Sequence, residues 1–237
     1  QAGTRMTDKE ADAEAAVGDE EYVEPARFGK GETGTFADDV TPEPYERTAG
    51  RDNSDLVTLL RTGPSLKRVL RDIRNYGSRM YVPLTNEISA LMGFDGIRIE
   101  FSDTEKTNAA GKRVGGEYDP KTNKVTIYRG GANEHIIMHE VVHAVTSHRI
   151  EQARALLEEA RTNAKRRFTD QEEHLMGAYT RLADLRLEAA AEAGRRKLDT
   201  TQIYGLKLGK DGVAEFVAEA MTSPDFQEYL RTVRSEQ

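Results

Sequence analysis

The sequence predicts an α+β protein, and three observations carry that prediction. Apolar residues recur at helical spacing from Leu56 to Met92; the pattern changes to period two at Ile97–Phe101 and through a following hairpin; helical patterning then returns from Asn133 to the C-terminus. Charge is unevenly spread over the 237 residues. Residues 1–55 carry 6 Lys+Arg against 15 Asp+Glu, a net of −9, which leaves 28 against 26, a net of +2, for residues 56–237. The first segment has only scattered large apolar residues, several Gly, and Pro42 and Pro44. Too little apolar surface is available there to offset chain entropy, so 1–55 reads as an acidic disordered linker and 56–237 as one domain. The start at Gln1 reads as a segment of a longer polypeptide.

In order, Asn53-Ser54-Asp55 forms a capping cluster ahead of Leu56, Val57, Leu59 and Leu60, and Gly63-Pro64 stops that helix. Ser65 caps a second helix whose stripe is Leu66, Val69, Leu70 and Ile73, ending before Gly77. Leu84, Ile88, Leu91 and Met92 make a third stripe that ends at Gly93. Ile97, Ile99 and Phe101 then alternate with Arg98, Glu100 and Ser102, the signature of a half-buried strand. Gly115–Tyr118 and Val125–Tyr128 flank the turn Asp119–Asn123 and read as a hairpin. After Gly130-Gly131 come a helix from about Asn133 to His148, separate charged helices to about Arg166 and from Asp170 to Ala193, and a final pair near 212–221 and 224–234.

The chain has no Cys, so it can form no disulfide, thiolate nucleophile or thiolate metal site; any metal must be held by His and carboxylates. No apolar run approaches the ~20 residues of a membrane helix, so a soluble protein with no membrane partner is expected. His139-Glu140-Val141-Val142-His143 carries the chemistry. Two histidines four apart on a helix stand one above the other, about 5–6 Å between Cβ atoms, and both rings can reach one ion. Glu140 lies about 100° round the helix, beside the ion and off it, where a general base for an activated water belongs. Val141, Ala144 and Val145 fall on the opposite, core side; His148, at about 180°, reads as a structural histidine on the packed side. His135 shares the metal face, but about 12 Å of rise separates it from His143, which makes it a cleft-lining residue.

Two histidines leave a third protein ligand to be found. A third His six residues after the second is excluded, because Arg149 stands there and Thr146 replaces the customary Gly. A later Glu is required: Glu158, Glu159, Glu172, Glu173, Glu188, Glu192, Glu215 or Glu219. Most sit in Arg/Lys-rich stretches that read as solvated helix faces. Glu215 and Glu219 are set among Phe216, Val217, Ala218, Ala220 and Met221, where a carboxylate is costly unless paired or metal-bound. Glu215 is therefore favoured as the ligand, with Glu219 behind a ligand histidine.

His139–His143, the pair Tyr204-Gly205, and the run Glu215–Gln227 (EFVAEAMTSPDFQ) together resemble the gluzincin peptidase domains of phage and plasmid large polyvalent proteins, and more distantly the catalytic domain of anthrax toxin lethal factor. The resemblance spans roughly residues 95–235. It implies a zincin-like fold, a small sheet followed by an active-site helix and a helical C-terminal part, with Zn2+ held by His139, His143 and Glu215. Glu140 is then the catalytic base of an endopeptidase, and Tyr204 a donor to the oxyanion. Between Tyr204-Gly205 and Glu215 this chain has a longer stretch, Lys207 to Gly212, than the family pattern. The implied partner is a polypeptide, the parent polyprotein among the candidates, laid along Val125–Tyr128; the implied location is the cytoplasm or a phage particle. A non-catalytic zinc-binding component of such a particle is the rival reading. Nucleic acid is not expected, since the basic runs at Arg161–Arg167 and Arg195–Lys197 read as dipole-complementing helix ends.

Overall fold

A computed structural model describes residues 53–90, 96–108, 111, 113–198, 203–206 and 212–233, with the backbone alone at Asn53 and Tyr204. The expected linker 1–55 lies outside these residues apart from its last three, as do Leu91, Met92 and Gly93 of the third stripe. The described fold is α+β. Helices α1 (Asn53–Arg61), α2 (Leu66–Tyr76) and α3 (Val82–Ala90, entered through a 3-10 turn at Arg79–Tyr81) precede strands β1 (Arg98–Ser102), β2 (Lys106–Thr107), β3 (Arg113–Val114), β4 (Gly116–Asp119) and β5 (Lys124–Tyr128). Helices α4 (Glu134–Thr162) and α5 (Asp170–Arg195), a 3-10 turn at Tyr204–Leu206, α6 (Gly212–Thr222) and α7 (Pro224–Thr232) follow.

The three N-terminal helices form where the stripes predict them. Ser65 accepts a hydrogen bond from the Arg68 amide and caps α2, whose Leu66, Val69, Leu70 and Ile73 are all buried. They join Leu56, Leu60, Leu84 and Ile88 in the first core, together with Ile99, Val125 and Ile127 of the sheet and Ile137, Met138, Val141 and Val142 of α4. This core fixes the start of α4. Asn133 caps that helix through the Ile136 amide, and the buried Glu134 accepts a hydrogen bond from the Ser78 amide at 2.8 Å.

The main sheet has the order β1-β5-β4. β1 runs parallel to β5, from Arg98 opposite Lys124 to Ser102 opposite Tyr128, and β4 pairs antiparallel with β5, from Gly116 opposite Ile127 to Asp119 opposite Lys124. The expected hairpin is present, with Asn123 at φ 50° closing its turn. Its strand β5, however, is central. Hydrogen bonds to β1 and β4 occupy both of its sides, so Val125–Tyr128 has no open edge for a peptide. Among the described residues, the unpaired side of this hairpin belongs to β4.

A separate two-stranded ribbon of β2 and β3, which sequence patterning did not show, is not hydrogen-bonded as a strand to the main sheet. It is tied to the main sheet by one polar cluster: Lys106 on β2 pairs with Glu117 on β4, and Tyr128 on β5 donates its hydroxyl to the same carboxylate. Close backbone approach continues into the turn before α4, where a methyl group on Gly131 would lie 2.0 Å from the Gly115 carbonyl oxygen.

The helical half differs from expectation in one respect: α4 is a single 29-residue helix through Thr162, where the sequence reading broke it at His148. No Gly or Pro interrupts 134–162, so nothing in the backbone chemistry ends the helix there. Thr169 and Glu172 form a reciprocal capping box at the start of α5. A second core of Ala189, Ala193, Leu206, Phe216, Phe226 and Tyr229 joins α5, α6 and α7, with Phe216 and Phe226 edge to face at 5.7 Å. α6 belongs to both cores, giving Ala218 to the first and Phe216 to the second.

The Lys106–Glu117–Tyr128 cluster has a pH signature. Burial raises the Glu117 carboxyl, but hydrogen bonds from Lys106 and Tyr128 outweigh it and hold the group below its ordinary 4.5. A depressed folded-state value stabilises the protein fully above the unfolded-state value and loses that contribution as pH falls through the folded-state value. The gap in thermal midpoint between wild type and Glu117→Gln should therefore be constant above about pH 4.5 and shrink below it. A gap unchanged down to pH 3 (roughly a unit below the ordinary value) would show that the cluster does not hold the ribbon electrostatically.

Candidate metal centre

The site forms between α4 and α6. On α4, His139 and His143 stand one turn apart with ring centroids 4.7 Å from each other, and their Nε2 atoms are 3.1 Å apart. On α6, Glu215 and Glu219 are also one turn apart. At 100° per residue they lie about 40° apart on one face, with Phe216 about 100° to one side and Ala218 about 60° to the other. These flanking residues enter different cores, so the glutamate face is aimed at α4 from both sides.

Glu215 Oε2 lies 3.5 Å from His139 Nε2, and Glu215 Oε1 lies 3.6 Å from His143 Nε2. A tetrahedral ion with His and carboxylate ligands at 2.0–2.1 Å has ligand–ligand edges of about 3.3–3.4 Å. The 3.1 Å between the two Nε2 atoms is close to that edge, and Glu215 meets the histidines with different oxygens, Oε2 at 3.5 Å from His139 and Oε1 at 3.6 Å from His143, contacts too long for good hydrogen bonds. The side chains are largely out of solvent, 12, 13 and 26% exposed for His139, His143 and Glu215. Two polar atoms are left buried with no hydrogen bond: Glu215 Oε2 and His139 Nδ1. An orphaned buried polar atom costs about 1–3 kcal/mol, and a cation at the common point of the three donors relieves the first of these. His139, His143 and Glu215 could hold a metal ion.

The second orphan, His139 Nδ1, faces Glu219 Oε1 at 3.5 Å. Closing that gap by about 0.6–0.8 Å would let Glu219 fix the tautomer that leaves Nε2 free. Glu219 also belongs to a second group able to hold a metal, with His135 and His139. His135 Nδ1 is 3.2 Å from the Thr222 carbonyl oxygen, and its ring centroid is 6.1 Å from that of His139. Both groups need His139. His143 lies only in the first, in keeping with the rise that separates it from His135.

Electrostatics follow from this crowding of carboxylates and imidazoles. Burial pushes the His139 imidazole down, but Glu215, Glu219 and Glu140 outweigh it and leave it raised. Burial would raise the Glu215 carboxyl; the two histidines instead hold it far below the ordinary carboxylate range. Glu140 goes the other way. Burial raises it, helped by Glu215 and Glu117, against the opposing pull of His139 and His143. Among the described residues its carboxylate has no hydrogen bond or ion pair, and a methyl group on Gly116 would come within 2.8 Å of its Cγ. Thus β4 packs directly on the stem of Glu140 and leaves its carboxylate uncommitted.

Other sequence candidates are elsewhere. Glu158 pairs with Arg161, Glu159 and Glu172 with Arg166, and Glu192 with Arg195 and Arg196. Glu173 and Glu188 are exposed. His148, read as pointing to the packed side, is exposed, because on α4 the first core ends at Val145 and no described residue of that core reaches further along the helix. Tyr204 begins the 3-10 turn that abuts α6: a methyl group on Gly205 would lie 3.0 Å from Glu219 Cβ. The Tyr204 side chain is outside the described atoms. Sequence reasoning missed Tyr81, which is buried and donates its hydroxyl to the Thr222 carbonyl at 3.2 Å; burial, then Glu134 and Glu219, push it well above its ordinary value. No local pattern could signal that contact across 141 positions.

No family model, curated protein or solved structure matches the chain. Among the described residues no helix is long and apolar enough to cross a membrane.

Metal titration tests the geometry residue by residue. His139→Ala, His143→Ala and Glu215→Ala should each weaken metal binding by at least ~10²-fold in competition with a chromophoric chelator, and Glu219→Ala by about 10–100-fold. His148→Ala should leave affinity within about twofold, since its side chain reaches neither group. If Glu215→Ala binds metal normally while His135→Ala does not, the ion belongs to the second group.

Proposed function

We propose that the chain is a zinc-dependent endopeptidase of the gluzincin type, with His139, His143 and Glu215 as metal ligands and Glu140 as general base. One observation carries the reading: two imidazoles and a carboxylate able to hold a metal ion converge between α4 and α6, and beside them stands Glu140, a half-buried carboxylate with no hydrogen bond or ion pair among the described residues. A structural zinc site is usually closed by four protein ligands and has no use for such a carboxylate. When bound, zinc would acidify a coordinated water and polarise the scissile carbonyl.

The chain's own residues supply the rest. Glu140, whose carboxyl burial raises above its ordinary value, takes the proton of the attacking water and delivers it to the leaving amine. Gly116, with no side chain, lets β4 lie against the Glu140 stem and limits where the carboxylate can go. Glu219, 3.5 Å from His139 Nδ1, is placed to take that nitrogen's proton-bearing side and leave Nε2 free for a metal. Tyr204, by its likeness to the gluzincin pattern, donates to the oxyanion. An extended substrate adds to the open side of β4 by backbone hydrogen bonds, next to Glu140. The substrate class is a polypeptide, the parent polyprotein included.

Glu140→Gln keeps size and hydrogen-bonding capacity but removes basicity. Turnover on a diverse peptide pool, read by mass spectrometry, should fall by at least ~10²-fold while metal content stays at the wild-type level. Full activity of Glu140→Gln on any peptide that the wild type cuts would remove Glu140 from the mechanism. Metal-loaded wild type that cuts nothing in the pool or in longer parent-chain fragments would favour the non-catalytic reading.

A further inference from the structure

Most arginines on the helices of the C-terminal half are neutralised within a turn. Arg154 pairs with Glu151, Arg161 with Glu158, Arg231 with Glu228, and Arg195 and Arg196 with Glu192. The basic runs noted in the sequence are thus largely internally paired. Helix α2 is different. Lys67, Arg68, Arg71 and Arg74 are all exposed, and among the described residues none forms an ion pair. At 100° per residue they span about 120° of one face and about 10.5 Å along the axis. With Ser65 and Ser89 they line a groove of about 210 Å³ that contains no carboxylate and no apolar side chain.

We propose that this face of α2 binds the phosphate backbone of a nucleic acid. Its length faces about three successive phosphates of one strand, at ~3.4 Å of rise each. Three of the four cations are arginines, whose planar forks match phosphate oxygens. A protein partner would call for a buried aromatic or aliphatic anchor, and the groove offers none. Insertion into a lipid surface is closed to α2, because its apolar side is spent in the core: Leu66, Val69, Leu70 and Ile73 are at most 2% exposed. Recognition through phosphates alone carries no sequence information, so binding is insensitive to base sequence.

The test uses the full chain and fluorescein-labelled oligonucleotides of ~20 nucleotides, single-stranded and duplex, followed by anisotropy from about 50 to 200 mM NaCl. Binding should be in the micromolar range at the lower salt and fall steeply with added salt. Replacing Lys67, Arg68, Arg71 and Arg74 together by Gln should weaken it at least ~10-fold and reduce the slope of log affinity against log salt by about 3. An equal-charge control, with Lys121, Lys165, Arg167 and Arg181 changed to Gln, should stay within about twofold of wild type. Should the quadruple variant misfold by circular dichroism, the pair Arg71→Gln and Arg74→Gln should still lose about half of that slope change. No binding up to ~100 μM, equal loss in the control, or tighter binding to polyglutamate or phosphatidylserine vesicles than to the oligonucleotides would overturn the proposal.

Discussion

Everything in the described fold that concerns the site depends on one convergence: a carboxylate of α6 brought to within 3.6 Å of two imidazoles of α4. Left without a cation, that arrangement buries polar atoms that no hydrogen bond satisfies. The cost is met only because α6 is held on both flanks, by Ala218 in the first core and Phe216 in the second. Neither core alone fixes the rotation of α6. Together they leave it a single face toward the histidines, and Glu215 and Glu219 occupy that face.

The remaining elements serve the other half of the convergence, the position of α4. Glu134, buried in its first turn, reaches the Ser78 amide and ties the helix to the N-terminal segment. A methyl group on Gly77 would come 2.6 Å from Glu134 Oε1, so the loop must be bare at that point. On the opposite side the sheet packs against Ile137, Val141 and Val142, and Gly116 admits β4 to the stem of Glu140. The chain thereby sets the histidines and the carboxylate between them from three directions with few polar contacts.

Much of this was legible in the sequence, and the reasons are particular. His139 and His143 sit on a helix whose other side is apolar, so a 3.6-residue period separates metal face from core face. Glu215 stood out because its neighbours are Phe, Val and Ala, surroundings in which a carboxylate needs a partner. The hairpin announced itself through Asp119-Pro120 and Asn123. What could not be read depends on contacts between distant segments. That β5 is central follows from its parallel pairing with β1, for which no local signal exists. The β2–β3 ribbon has strands of two residues each, below any detectable period. The unbroken α4 is a misreading of another kind: the exposed His148-Arg149 pair interrupts the apolar stripe without interrupting the backbone.

The central claim is that one cation sits among His139 Nε2, His143 Nε2 and Glu215. Crystals of the zinc-loaded protein, measured on either side of the zinc absorption edge, test it most directly. The account predicts a single anomalous peak about 2.0–2.1 Å from those three ligands. A peak instead among His135, His139 Nδ1 and Glu219, or no peak in protein shown to be folded, would contradict it.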